Sequence, residues 1–210
     1  MTDRDPERKA FFNRLAKEWL STHYKRPGTD RYDRHSDRIR QIVTTLALRP
    51  ADRVLDVGCG SGVLVPYLLE HLSPEGRLFE MDYARQMIQE NQKIHQDERI
   101  TFICSDVVKM PFGAAELDAV ICFACFPHFA QSEKALERIG ESLKPGGRLI
   151  IAHLMSSTEL AEHHTASTPV CRDRLPSMEK MTQMIRDTGL EILSFEDRPG
   201  LYRISAVKRP

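Results

Sequence analysis

The sequence predicts an α/β fold: a doubly wound sheet of seven strands, mostly parallel, with helices on both faces and an antiparallel strand closing the C-terminal hairpin. Three observations point there. Short apolar runs rich in β-branched residues alternate with segments of helical period as far as His153, the pattern of a parallel sheet covered by helices. Val54-Leu55-Asp56-Val57-Gly58-Cys59-Gly60-Ser61-Gly62 reads as a buried strand that breaks into a glycine-rich turn and opens a helix. Such a turn lets backbone pass closely over a ligand and aims helix amides at it. Finally, two runs at 190–195 and 201–207 flank Asp197-Arg198-Pro199-Gly200 and read as a closing hairpin.

In chain order, residues 1–50 carry no strand pattern. Phe11, Phe12, Leu15 and Trp19 recur at helical spacing, and Ile39, Ile42, Val43, Leu46 and Leu48 mark a helix feeding the first strand. The polar loop between them, with Pro27-Gly28 as breaker, belongs either to a simple cap on the sheet or to a lid that closes over a substrate. Residues 51–153 form the core. After the glycine loop, Val63, Leu64, Tyr67, Leu68 and Leu72 suit a helix packed on the sheet, with Pro66 in its first turns. A second strand at 77–81 leads to Asp82, about 20 residues beyond the last glycine, where a ribose-binding carboxylate belongs. The same acid can also cap the helix starting near Ala84. A third strand at 100–104 precedes Ser105-Asp106-Val107-Val108, and a fourth at 117–122 ends in Phe123-Ala124-Cys125-Phe126-Pro127-His128-Phe129. That tail sits at the carboxyl edge of the sheet, where open α/β folds place ligands. Leu143-Lys144-Pro145-Gly146-Gly147-Arg148 turns the chain into strand five at 149–153. Residues 154–189 read as a mostly helical insertion whose two halves are joined by Thr168-Pro169-Val170-Cys171-Arg172-Asp173, and 190–207 as the closing hairpin. The whole is taken as one domain, as its 210 residues suggest.

Composition excludes several classes. Thirty lysines and arginines balance thirty aspartates and glutamates, so no excess positive field is available to hold a nucleic acid. No apolar run is long enough to span a bilayer, and Met1-Thr2-Asp3-Arg4-Asp5 does not read as a signal peptide, so the expectation is a cytoplasmic protein off the membrane. Five cysteines at irregular positions suit free thiols in a reducing compartment. The glycines follow G-x-G-x-G and not G-x-G-x-x-G, which fits a dinucleotide poorly.

The run D-V-G-C-G-S-G resembles the first motif of the class I S-adenosylmethionine-dependent methyltransferases, a Rossmann-like family. Asp82, Asp106, Met110-Pro111-Phe112 and L-K-P-G-G-R follow in that family's order and spacing. By motif the resemblance covers roughly residues 51–153, and by pattern the hairpin. It implies that Gly58, Gly60 and Gly62 frame the methionine end of S-adenosylmethionine and that Asp56 holds the loop or the amino group. Asp82 would take the ribose, and Asp106 with Val107 the adenine. Cys59, Tyr83 and Phe123 complete the expected cofactor-binding set, and S-adenosylhomocysteine is the expected product.

The acceptor is harder to read. Base-modifying amino methyltransferases of this fold carry Asn/Asp-Pro-Pro-aromatic after strand four, and Cys122-Phe123-Ala124-Cys125 does not match. The segment is closer to the small-molecule, quinone-biosynthesis-like group, so a small acceptor is expected and nucleic acid is not. His128 is then a candidate general base for a hydroxyl or carbon acid, with His153 as a second catalytic candidate. A helix-capping or packing role suits His128 equally. His128, His153, His163 and His164, half of the eight histidines, fall after strand four. With Glu159, Cys171 and Asp173 nearby, a metal set through His153, His163 and His164 is conceivable. No metal is expected, because adjacent helical residues point roughly 100° apart. Two other readings stay open: a noncatalytic module that binds S-adenosylmethionine or a metal as a sensor or partner subunit, and a nicotinamide-dependent oxidoreductase. Monomer and homodimer fit equally.

Overall fold

The computed structural model describes residues 5–165 and 170–209. The Met1-Thr2-Asp3-Arg4 start and the Thr168-Pro169 part of the predicted joining segment lie outside them. Strands β1 (Arg53–Val57), β2 (Arg77–Asp82), β3 (Ile100–Cys104), β4 (Leu117–Phe123), β5 (Leu143–His153), β6 (Leu190–Arg198) and β7 (Leu201–Lys208) form one sheet in the order β3-β2-β1-β4-β5-β7-β6. The first five are parallel. β7 runs antiparallel to β5, and β6 antiparallel to β7. The strand order reverses between β1 and β4, which opens a crevice at their carboxyl ends.

Helices α1 (Asp5–Leu15), α2 (Trp19–His23) and α3 (Ser36–Thr44) precede β1, and α4 (Val65–Leu69), α5 (Arg85–Ile94) and α6 (Ser132–Ser142) lie between core strands. α7 (Ser157–Thr165) and α8 (Met178–Asp187) separate β5 from the hairpin. Alternation along each strand sends its residues to two layers. Leu55, Val57, Val120 and Ile151 pack on one face with Leu136, Ile139 and Ile185, whereas Val54, Ile121 and Ile150 pack on the other with Ile39, Ile42 and Leu68.

Three differences from the expected elements have local causes. The first helix stops at Leu15, where Ala16–Glu18 tightens into a 3-10 turn that sets Trp19 on a new helix. The helix after the glycine loop is short, because the chain takes a full turn to recover from Gly62 before Pro66 can occupy its first turn. The L-K-P-G-G-R segment lies inside β5: Leu117 pairs with Leu143 and Ala119 already with Arg148, so the turn is an irregularity looped out of a continuing ladder. Among the described residues no helix is long and apolar enough to cross a membrane.

Candidate active site

At the end of β1 the chain enters left-handed backbone at Gly58 (φ +67°) and again at Gly60 (φ +56°). The amides of Gly58 and Cys59 donate to the carbonyl oxygen of Met81 at 2.7 and 3.1 Å, which ties the loop to the end of β2. A Cβ on Gly58 would stand 2.5 Å from Cys125 Cβ, so the loop and the turn after β4 are in direct backbone approach there. The Cys125 thiol closes the other side of that contact by donating to the carbonyl of Val57 at 2.9 Å. Ala124, between β4 and Cys125, takes φ +55°, a strained conformation for alanine held by the hydrogen bond its N–H donates to Ala152 O at 2.8 Å. These segments floor a cleft of about 960 Å³, counting its open mouth, which Phe12, Trp19 and Tyr24 wall from the N-terminal side.

Three carboxylates stand around this floor. Asp82 accepts from the Gly60 amide at 3.0 Å and from Ala84 N, ahead of α5, at 2.7 Å. Burial pushes its carboxyl up to about 6, against the pull of those amides. Asp56 is 1% exposed, and its Oδ2 has no hydrogen-bond partner among the described residues. Burial first, then the neighbouring Glu80, hold its carboxyl well above the usual range. Asp106 is half-buried, caps the 3-10 turn Val107–Lys109 and accepts from Val108 N at 2.8 Å. Beneath the loop, outside the cleft, Glu80 pairs in register with Asp56 and accepts from Asn91 Nδ2 at 2.7 Å. Burial pushes Glu80 up to about 8.

His128 enters the cleft from the 3-10 turn Phe126–His128. Its Nδ1 lies 2.7 Å from Asp173 Oδ2, and Arg8 donates to both oxygens of the same carboxylate, Nε to Oδ2 at 3.0 Å and Nη2 to Oδ1 at 2.8 Å. The rings of Phe12 and His164 lie 5.0 and 5.2 Å from that of His128. Burial raises the Asp173 carboxyl, and the hydrogen bonds from His128 and Arg8 outweigh it, leaving it below its ordinary value.

The cleft thus gathers Asp56, Gly58, Cys59, Gly60, Asp82, Tyr83, Asp106, Val107, Phe123 and His128 of the residues singled out in the sequence. It does not gather Gly62, His153, His163 or His164. Gly62 (φ +85°) faces α5, where an added Cβ would lie 2.2 Å from Asn91 Oδ1, so its glycine answers to packing and not to the cleft. His153 accepts from Met155 N through Nδ1 at 3.2 Å and is kept neutral, down to about 3, by burial and by His128, His164 and His163 around it. It is not among the residues that line the cleft. His164 is buried with Nδ1 on the Asp173 carbonyl at 2.8 Å, His163 is exposed, and Glu159 takes the amides of Ser156 and Gly200. No three such side chains among the described residues are grouped to hold one metal ion.

Arg8 and Glu80 were missed by sequence reasoning, and Asp173 was noticed only as a possible ligand. A signal existed for the first two. Arg8 is one helical turn before Phe12 and so shares its buried face, and Glu80 is an acid inside an apolar strand, as Asp56 is.

Residues 55–151 match the family model of the methyltransferase domain. An O-methyltransferase of Aspergillus sclerotiorum is 24% identical over 171 residues, 75% of this chain and 62% of that protein. Demethylmenaquinone methyltransferase of Symbiobacterium thermophilum is 28% identical over 115 residues, 53% of this chain and 46% of that protein. The chain therefore spans about three-fifths or less of the length of these relatives. Among solved structures, a chain from the complex between the Haloferax volcanii Trm112 methyltransferase activator and a methyltransferase superposes with a TM-score of 0.79. That match covers 95% of this chain and 98% of that one at 20% identity, a likeness of fold. The strand order, the glycine-loop motif and the match over residues 55–151, a little under half of the chain, agree in likening this chain to methyltransferase domains.

Proposed function

We propose that the cleft binds S-adenosylmethionine and that the protein transfers its methyl group to a small-molecule acceptor. One observation carries the reading: the carboxylates of Asp56, Asp82 and Asp106 line a single cleft floored by the Gly58–Gly60 backbone. The donor set suits the cofactor. Asp56 Oδ2 is a buried acceptor with no partner among the described residues, as a site for an ammonium group requires. The Asp82 carboxylate has lone pairs beyond the two amides it takes and is suited to ribose hydroxyls, while the unengaged Asp106 oxygen, with the Val107 amide, is suited to adenine. Cys59, Tyr83 and Phe123 wall the same space. When bound, S-adenosylmethionine supplies an activated methyl on a sulfonium, so the protein contributes alignment more than reactivity.

In this reading residues 1–50 are the lid of a single domain whose core is 51–153. Trp19 Nε1 lies 3.4 Å from where a Gly60 Cβ would be, Ser61 Oγ donates to Ala16 O at 3.1 Å, and Gln86 N donates to Asn13 Oδ1 at 2.9 Å. The N-terminal segment therefore already covers the loop. Asp173, in the stretch before α8, meets His128 from outside the cleft lining, with 190–207 finishing the sheet. A neutral charge balance favours a small acceptor over nucleic acid.

Calorimetric titration with S-adenosylhomocysteine, with NADH and a divalent metal ion in parallel, tests the cofactor. Binding of the homocysteine compound alone is expected; binding of NADH or metal instead would sink the reading. Asp82→Ala should weaken that binding by about 1.5–3 kcal/mol, the scale of hydrogen bonds to a charged group. Unchanged affinity would remove Asp82 from the site. His128→Ala should leave the affinity alone and lower methyl transfer, to whichever small acceptor the wild type accepts, by roughly 10²–10⁴-fold. Equal turnover would return His128 to a packing role.

A further inference from the structure

We propose that Asp173 is the positioning residue that makes His128 a base toward the cleft, and that the acceptor it serves is a phenolic or enolic hydroxyl. The inference rests on the proposed methyl transfer and adds the acceptor's chemical class to it. An ionised carboxylate has only lone pairs to offer, so the hydrogen between His128 and Asp173 sits on Nδ1. With Nδ1 so engaged, Nε2 carries the lone pair, and it is the nitrogen left for a group in the cleft that His128 lines. Arg8 locks the arrangement. Its two donors hold both oxygens of Asp173, and the pair is buried, with side-chain exposures of 10% and 7%. The Asp173 carboxylate therefore cannot turn away from the ring without giving up both of these buried guanidinium hydrogen bonds.

Amines and thiolates can attack a sulfonium methyl without first losing a proton to the protein, so they have little use for such a dyad. A hydroxyl is a weak nucleophile until its proton leaves, and imidazole is a strong enough base only for the acidic hydroxyl of a phenol or enol. Phe12 and Trp19 on the cleft wall suit the flat face that such an acceptor carries. In the step, the acceptor O–H bond breaks and its proton goes to Nε2. The oxygen forms a bond to the methyl carbon as the carbon–sulfur bond breaks, the electron pair staying on sulfur. Asp173 faces the positive charge that the ring acquires, and the proton later leaves to water. Of the other titratable groups packed on this pair, His164 through Nδ1 and Arg174 through Nη1 engage the Asp173 backbone carbonyl and His153 stays neutral, so among the described side chains the charge bonded to the Asp173 carboxylate is that of Arg8.

The test uses 4-nitrophenol, whose phenolate absorbs visible light and whose neutral form does not. It is mixed with the full-length protein and S-adenosylhomocysteine at a pH where the free probe is protonated. Wild type should bind the probe as phenolate, and ¹⁵N spectra of the imidazole should show His128 protonated at Nδ1 before the probe is added. Asp173→Leu alone takes a carboxylate away from a buried arginine, so the informative variant pairs it with Arg8→Met. That protein should lose the phenolate band and carry its His128 proton on Nε2. Arg8→Met alone and Asp173→Glu should keep both signatures. A phenolate band that is absent in wild type, or unaltered in the double variant, overturns the proposal. Failure of S-adenosylhomocysteine to bind overturns the cofactor reading instead, and the imidazole spectra without ligand still judge Asp173.

Discussion

Gly58→Ala should destabilise the protein by roughly 2–5 kcal/mol and lower its melting temperature by roughly 5–15 °C in a calorimetric scan. Two costs combine. The residue sits at φ +67°, which an L side chain adopts only with strain, and its new Cβ would lie 2.5 Å from Cys125 Cβ. Cys125 cannot rotate out of the way, because the contact is with its first side-chain atom and its thiol is tied to Val57 O. The same substitution with Cys125→Gly separates the two terms: the clash is relieved and the backbone strain stays, so the double variant should recover only part of the loss beyond additivity. A Gly58→Ala protein that melts like wild type would mean that loop and post-β4 turn do not approach as closely as described.

The second large effect is a pH dependence of stability centred on Glu80. Its folded carboxyl is pushed up to about 8 from an ordinary value of 4.5, chiefly by burial. A group raised in the folded state contributes stability that is fully present below the unfolded value. That contribution is lost as pH rises through the folded one, here from about 4.5 towards about 8. Glu80→Gln mimics the protonated acid, keeps an acceptor for Asn91 Nδ2 and has no proton to lose. It should match wild type near pH 4.5 and exceed it by on the order of 3 kcal/mol near pH 8, read from urea unfolding at each pH. Parallel stability curves for the two proteins would show that Glu80 holds no extra proton in the fold. Asp56 and Asp82, raised on the same side of the sheet, leave a residual slope in the variant.

Why these acids are buried together is visible only in register. Asp56 announced itself as an acid before the glycines, whereas Glu80 drew no role from the sequence. The parallel pairing sets Asp56 beside Glu80, and the period of two sends both, with Asp82, to one face. A similar distinction separates the histidines. His128 sits on the 3-10 turn that follows β4, and that turn carries it into the cleft, whereas His153, the last residue of β5, is not among the residues that line it. Gly60 and Gly62, two residues apart with the same backbone hand, part company for the same kind of reason: one faces Trp19 and the cleft, the other Asn91 on α5.

By itself, then, the sequence determined what is encoded locally: the alternation of strands and helices, the glycine turn after β1, the acids at strand ends and the closing hairpin, because periodicity, glycine backbone and turn residues act within a few positions. Only the tertiary structure decided which of those residues share the cleft. It brings Arg8 of the first helix and Asp173 of the segment before α8 onto one histidine, across 165 residues of chain. No local propensity connects them; burial does, since a guanidinium and a carboxylate taken from water must find each other, and where they meet they hold an imidazole with them.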